Sequence, residues 1–401
     1  MQLVEPRWIM PGTPPYRRVS IGLFLAGFAT FSLLYCTQPL LPVFADYYHV
    51  SATESSLALS LSTGFLAFAI LCAAPLSEAV GRRGLMFFSI TAASLVNIAA
   101  AFSPNWTVLL VLRSLEGFLL GGMPAVAMAY LAEEIDPRGL GLATGLLVGG
   151  NAFGGMTGRV LAGIITEDFS WQISLGLLGT LGLLSSIGCM ALLPASHNFR
   201  KRPGFDAAYH FSAWGNHLRD GALLPLFTIP FLAMGSFVAL YNYAGFRLSE
   251  PPFSLNQREI GLIFIVYLFG ITASPLSGAL ADRFGRRLVL PIGIGLTMAG
   301  ILLTLLPGLT TMILGIIVIT SGFFMTQSVA SGWVGGLAPT AKGHAASLYL
   351  LGYYSGSSLI GSAGGWFWAA GGWPAVAGLT LACYGLSLAA SLRVGQVAAR
   401  R

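Results

Sequence analysis

The chain has 401 residues, of which 55% are hydrophobic and only 9% charged, and a formal charge of +6. Soluble domains carry roughly a quarter charged residues, so this composition excludes an ordinary soluble enzyme and points to a polytopic membrane protein. The basic residues are scattered among short loops, which excludes a nucleic-acid-binding stripe and fits positive-inside topology.

Residues 1–18 form a polar, proline-containing tail ending in Arg17-Arg18. The apolar run that follows to Phe44 is too long for a signal-peptide core and lacks a convincing cleavage site, so it reads as a first spanning helix. About 20 residues suffice to cross about 30 Å of hydrocarbon. Further runs of that kind lie at 57–77, 84–102, 106–132, 139–165 and 171–194, completing a six-helix bundle over residues 19–194. A cytoplasmic linker is expected over 195–219, where Arg200-Lys201-Arg202, Pro203, three histidines and Arg219 break the pattern. A second bundle over 220–393 takes the runs at 221–246, 259–281, 288–306, 310–337, 344–369 and 373–393, and a tail at 394–401 ends in Arg400-Arg401.

Lysine and arginine placement agrees with an even number of crossings and both termini in the cytoplasm. On this map seventeen are cytoplasmic, two lie within the membrane and only Arg247 and Arg258 are external. The four cysteines, Cys36, Cys72, Cys189 and Cys383, all sit in apolar runs and form no CxxC or Cys/His set, so neither disulfides nor metal sites are expected. Asn105-Trp106-Thr107 matches a glycosylation triplet, but its loop is very short and the match is read as chance. Trp366, Trp368 and Trp373 fit an interfacial belt.

The second-half turn Gly278-Ala279-Leu280-Ala281-Asp282-Arg283-Phe284-Gly285-Arg286-Arg287 has an ungapped echo in Ala74-Pro75-Leu76-Ser77-Glu78-Ala79-Val80-Gly81-Arg82-Arg83. The shift, 282 − 78 = 204 residues, also places Arg138-Gly139 on Lys342-Gly343 and Gln38 on Asn242, so the chain reads as two parallel copies of one unit. Such a turn suits the cytoplasmic mouth of two helices: glycine lets the chain reverse, arginines prefer the inner side, and the acid can cap a helix or pair with a cation.

Two six-helix halves, a long central loop and this repeated turn resemble the major facilitator superfamily, over nearly the whole chain. The resemblance implies an all-α membrane protein with twelve transmembrane helices in two pseudo-symmetric bundles, rocking about a central cavity lined by helices one, four, seven and ten. Within the family the chain is similar to drug:proton antiporters. Arg113-Ser114-Leu115-Glu116-Gly117-Phe118-Leu119-Leu120-Gly121 resembles the RxxxGxxxG element of helix four, and Gly150-Asn151-Ala152-Phe153-Gly154-Gly155 the GPxxGG element of helix five. Asn151 stands where the family has proline, so the kink from a missing N–H is lost. The resemblance assigns conformational gating to Glu78, Gly81, Arg82 and Arg83, and to Gly278, Asp282, Arg283, Gly285, Arg286 and Arg287. Ala74, Ser77-Glu78 and Ala79 depart from the family turn, which weakens the gate expected in the first half.

Arg113, Glu116 and Arg159 are the only charges placed deep within spans, where an isolated charge is costly and needs a partner or water. Glu116 follows Arg113 by three residues, about 60° around a helix. Arg159, in the next helix, lies at a similar depth, so the three are expected to form one charged cavity cluster with Asn151. Glycines at four-residue spacing are expected to let helices four and five approach closely, or to serve as plain packing sites. Tyr35, Gln38, Tyr241, Asn242, Gln327 and Tyr353 are substrate-cavity candidates, since tyrosines and amides in an apolar cavity supply stacking surfaces and directed hydrogen bonds.

No phosphate loop, intramembrane histidine, catalytic triad, HExxH or paired intramembrane carboxylates can be assembled, so neither ATP hydrolysis nor an enzyme is expected. The expectation is a secondary active transporter of a small organic substrate, exporting it in exchange for protons carried by Glu116, without cofactor or metal. Sugar or metabolite transport on the same fold, and a non-transporting membrane sensor, are the alternatives. The chain is expected to be a monomer, its partners the lipid bilayer, its substrate and protons, in the plasma membrane of a bacterium. Two arginines against one glutamate favour a neutral, anionic or zwitterionic substrate over a lipophilic cation.

Overall fold

Proline, glycine and short polar caps divide the apolar chain into helices. A computed structural model describes residues 8–199, 207–338 and 340–399, without the side chains at 74, 75, 78–80, 125, 207–211 and 399. The Glu78 side chain, the basic run 200–202, Pro203 and the outermost terminal residues therefore lie outside the described residues.

Helix α1 (Pro14–Tyr35) starts on Thr13, whose Oγ1 accepts the Tyr16 N–H, with Pro14 where a missing N–H is harmless. It stops because Pro39 offers no N–H to the Tyr35 carbonyl. One 3-10 turn, Gln38–Leu40, leads into α2 (Leu41–Tyr48). α3 (Leu57–Val80) and α4 (Arg82–Ala100) meet at Gly81. α5 (Trp106–Leu120) is capped by Asn105, whose Oδ1 accepts the Val108 N–H at 3.0 Å, so the asparagine of the glycosylation-like triplet has a structural task. Gly121-Gly122-Met123 interrupts the span expected over 106–132, and α6 (Pro124–Glu134) resumes with proline in its first turn. α7 (Pro137–Asp168) is capped by Asp136 and α8 (Trp171–Leu192) by Ser170.

A linker helix, α9 (Ala207–Arg219), leads to the second half. It comprises α10 (Leu223–Ser249), α11 (Gln257–Ile263), α12 (Tyr267–Phe284), α13 (Arg286–Leu303), α14 (Leu309–Leu337) and α15 (Lys342–Ala399). Gly285, between α12 and α13, has φ 87° and ψ 143°, against φ 108° and ψ 143° at Gly81, so the repeated sequence makes the same turn in both halves. Only glycine adopts that backbone readily. α15 is two helical limbs, for Gly371 and Gly372 between them are non-helical.

Among the described residues nine helical stretches are long and apolar enough to cross a membrane. Twelve segments exceed these by three: Lys342–Ala398 counts once although Gly371-Gly372 divides it, the α5–α6 path is broken, and the many glycines of α7 with Asn151 lower its hydropathy. Trp373 is not in an aromatic belt: it is 5% exposed and its Nε1 donates to Thr304 Oγ1 at 3.1 Å, whereas Trp366 is exposed.

In the first half α1 packs on α7 and α8, α3 on α5, and α4 on α5 and α8. Glycines set these approaches. A Cβ on Gly150, Gly154 or Gly158 would run into the backbone of Phe24, Phe28 or Ser32 on α1, and one on Gly117 or Gly121 would meet Ser62 or Ala69 on α3. The expectation that small residues join helices four and five is thus corrected: Gly117 and Gly121 face α3, and Gly150, Gly154 and Gly158 face α1. Neighbours in sequence are not neighbours on those faces.

Across the halves α3 packs on α15, with Gly64 against Ser358, while the polar contacts gather at one end. Call the end marked by the Gly81 and Gly285 turns, with their arginines, the basic end. Each described hydrogen bond or ion pair between the halves lies toward the opposite end: Gln38 to Asn242, Gln257 Nε2 to the Pro39 carbonyl, Gln257 N–H to Glu167 at 3.0 Å, and Arg258 to Asp168. There α7 and α11 pack glycine on glycine, a Cβ on Gly163 falling 2.6 Å from Gly261 Cα, and Gly365 of α15 abuts Thr53 in the same manner.

Candidate functional site

The break in α1 leaves carbonyls of its last turn without helical N–H partners, and Arg113 answers them. Its Nη2 donates to the Leu34 carbonyl at 2.9 Å, Nη1 to the Leu33 carbonyl at 3.3 Å, and Nε to the Ala58 carbonyl of α3 at 3.2 Å. A cation at a helix C-terminus also meets the negative end of the helix dipole. Nη1 further bonds Asn97 Oδ1 at 3.3 Å and the Glu116 carboxylate. Asn97 is itself fixed by donating to the Leu175 carbonyl at 2.7 Å. Arg113 and Glu116 are both fully buried, and Glu116 Oε1 has no hydrogen-bond partner among the described residues.

Arg159 stands apart from this network. It lies nine residues, about 14 Å along the helix, before the end of α7 at Asp168. Its Nε donates to Gln38 Oε1 at 2.7 Å and its Nη1 to the Gly155 carbonyl at 2.7 Å. Three rings face the guanidinium, with centroids 4.2 Å (Tyr35), 4.9 Å (Tyr267) and 5.2 Å (Phe264) from Cζ. A Cβ at Gly155 would come within 3.2 Å of Nη1, so the glycine makes room for the charge. Arg159 makes no ion pair among the described residues. The single charged cluster expected from the sequence is two clusters: Arg113–Glu116 inside the first half, and Arg159 facing the second.

Asn151, expected beside the charges, packs against Gly27 of α1, where a Cβ would strike its amide; its Oδ1 has no hydrogen-bond partner among the described residues. Gln38 Nε2 donates to Asn242 Oδ1 at 2.8 Å, making a chain Arg159–Gln38–Asn242 across the halves. Tyr241 bonds Thr320 Oγ1 at 2.7 Å and stacks on Phe264 at 5.1 Å. Gln327 accepts the Tyr349 hydroxyl at 2.6 Å on a half-buried face, and Tyr353, also half-buried, packs on Tyr354 at 5.0 Å. Gln38, Tyr35 and Asn242 are buried, so these candidates line a closed joint, with Gln327 and Tyr353 toward the basic end. Sequence reasoning missed Asn97, Phe264 and Tyr267, single polar or aromatic residues in apolar runs.

The two gating turns differ. Arg82 grips Glu133 of α6, with Nη2 to Oε1 at 2.7 Å, bonds Ser77, and lies over Phe199. Arg83 donates to the Met190 carbonyl at 2.7 Å. Asp282 is exposed and makes no ion pair among the described residues, Arg283 lies over Phe284, and Arg286 runs along the end of α14 beside Gly336. The first turn is tied within its own half, whereas the acid of the second is free.

A family model described as Major Facilitator Superfamily matches residues 23–254 and 249–399. The uncharacterized MFS-type transporter YybF of Bacillus subtilis is 44% identical over 90% of this chain and 89% of its own. The inner membrane transport protein YnfM of Escherichia coli is 40% identical over 90% of this chain and 87% of its own. Among solved structures, the nucleoside transporter NupG superposes with a TM-score of 0.77 over 94% of this chain and 99% of its own, at 13% identity. A bacterial homolog of the human lysosomal transporter Spinster superposes at 0.72 over 97% of this chain and 96% of its own, also at 13% identity. These two share the fold. With a family model covering both halves and relatives matched along nine-tenths of its length, this integral membrane protein belongs to the major facilitator superfamily of transporters.

Proposed function

We propose that the protein is a secondary active transporter that exports a small organic compound in exchange for protons, by alternating access between its halves. The observation that carries this reading is closure at one end. Gln38–Asn242, Arg258–Asp168 and the Gly163–Gly261 contact gather at the end opposite the basic turns. Such a joint can be remade at the other end by rocking the bundles, and populations of two such states respond to a few kcal/mol. Arginine and lysine placement supports a cytoplasmic basic end with both termini inside, and on that reading the joined end faces outward. The name of the Escherichia coli relative supports a bacterial inner membrane.

Glu116 is the natural proton carrier, the one carboxylate within the spans as read from the sequence. Protonation removes the negative partner of Arg113, the residue that grips the last turn of α1. The break in α1 also carries Gln38, so a proton on Glu116 acts on the element that joins the halves.

Spin-label pairs in a cysteine-free background test this. One pair, at Phe169 and Leu262, spans the closed end, and the other, at Leu142 and Phe284, the basic end; all four residues are exposed. Moving from mildly alkaline to acidic buffer should change the two distances in opposite senses. Distances that stay fixed, or change together, contradict proton-linked rocking.

A further inference from the structure

We infer that Arg159 anchors an organic monoanion, a compound with one carboxylate and an apolar or aromatic body. The inference rests on the transporter reading and adds the charge class of what is carried.

Arg159 is 2% exposed, and its described partners, Gln38 Oε1, the Gly155 carbonyl and the Tyr267 hydroxyl, are neutral. Around them stand the rings of Tyr35, Tyr267 and Phe264. Arg113, buried as deeply, has Glu116 and three carbonyls instead. Arginine does not deprotonate in proteins, so Arg159 keeps an unbalanced positive charge in apolar surroundings. Two further donors nearby are unanswered: the Tyr35 hydroxyl and Asn242 Nδ2 are buried without a hydrogen-bond partner among the described residues. A guanidinium, a phenol and an amide N–H, with no charged acceptor among them, complement a carboxylate.

The second half shows that the charge is not part of the repeat. Gly352 and Gly356 pack on Phe227 and Phe231 as Gly150 and Gly154 pack on Phe24 and Phe28. Arg159 follows Gly154 by five residues, and five after Gly356 is Gly361, whose Cβ position lies 3.8 Å from Asn242 Nδ2. Where Gln38 meets an arginine, Asn242 meets a missing side chain, and its donor is left over.

Gln38 Oε1 stands in for a carboxylate oxygen on Arg159, and the same amide holds Asn242 through its nitrogen. A carboxylate is the stronger acceptor, so its arrival competes for Arg159 and loosens the joint between the halves. Half-buried Phe31, Phe324 and Tyr353 lie toward the basic end, the direction from which such a compound enters, while Gln38, Asn242 and Gln257 close the other side. One guanidinium balances one negative charge. A phosphomonoester dianion leaves a second charge against ring faces, and a lipophilic cation meets like charge.

The test uses the purified full chain and three probes of matched size: phenylacetate, phenylacetamide and phenethylamine, with phenyl phosphate as the dianion. Ligands that prefer the folded state raise apparent Tm. Phenylacetate should raise it saturably, phenyl phosphate less, and the amide and amine not at all. Arg159→Gln should weaken phenylacetate binding about ten- to hundredfold, the loss of a charge-assisted hydrogen bond, and Arg159→Lys by less. The probe comparison on the unaltered protein needs no variant, so it decides even if Arg159→Gln fails to fold. Preference for phenethylamine, an undiminished phenylacetate response in folded Arg159→Gln, or no response to phenylacetate, benzoate and naphthoate alike overturns the assignment. Liposome counterflow separates it from the transport reading. Exchange of labelled phenethylamine but not phenylacetate leaves a transporter of another charge class, whereas phenylacetate binding without exchange keeps the anchor and removes transport.

Discussion

Gln38 and Asn242, 204 residues apart, join the two halves through a hydrogen bond of 2.8 Å from Gln38 Nε2 to Asn242 Oδ1. That separation is the shift that superposes the two gating turns, so residues placed alike in the repeat meet near its pseudo-two-fold axis. Removing either leaves buried polar atoms without partners, at roughly 1–3 kcal/mol. A double-mutant cycle with Gln38→Ala and Asn242→Ala, followed by thermal unfolding, should give a coupling of about 0.5–3 kcal/mol. Strict additivity would show that the contact does not hold the halves together.

Adjacent glycines on α7 should respond very differently to a methyl group. At Gly154 the new Cβ lies 2.5 Å from Phe28 Cα, fixed backbone, whereas at Gly155 it lies 3.2 Å from the movable Arg159 Nη1. Gly154→Ala should therefore destabilise by about 1–3 kcal/mol as overpacking does. Gly155→Ala should leave Tm nearly unchanged while altering ligand response, because it shifts the guanidinium. Equal losses of Tm in both variants would contradict the packing described.

The two gating turns should fail alike. Gly81 and Gly285 hold φ of 108° and 87° with ψ of 143°, so alanine at either costs on the order of 1–3 kcal/mol. Gly84 has no such backbone and open space beside it, and helical alanine there should gain about 0.5–1 kcal/mol. Thermal unfolding of Gly81→Ala, Gly285→Ala and Gly84→Ala tests the contrast.

Asp136, between α6 and α7, supplies a pH-dependent term. The Arg138 side chain, with Nε 3.1 Å from Oδ1, and then the Arg138 backbone N–H hold its carboxyl below the usual carboxylate range. A depressed folded value means that the stabilisation is present above the unfolded pKa of about 3.9 and fades as pH falls through the folded value. Asp136→Asn should thus lower Tm at neutral pH and match the parent in strong acid. A gap that persists in acid would assign the effect to the cap alone.

Much of this architecture was legible in residue order. Apolar runs, basic turns and the repeat marked the two halves, and the three-residue spacing of Arg113 and Glu116 forecast their contact. Helix rotation was not legible. Arg159 shares a depth with Arg113, yet α7 turns it toward Tyr267 and Phe264 of the second half, away from Glu116. The repeat also slips within helices: Gly154 corresponds by packing to Gly356, a shift of 202 residues, while Gly81 and Gly285 keep 204. Asn97 carried no signal, since one amide in an apolar run has no partner to give it a pattern.

Proton coupling through Glu116 is tested most directly in proteoliposomes. Compounds that raise the Tm of the purified protein, screened across anionic, neutral and cationic classes, supply the labelled substrate. With the parent protein, a pH gradient alone should drive accumulation, and a protonophore should abolish it. Glu116→Gln, folded by the same thermal criterion, should keep gradient-free counterflow and lose the gradient-driven accumulation, because the amide of nearly the same shape carries no exchangeable proton charge. Full gradient-driven accumulation by folded Glu116→Gln would contradict the account.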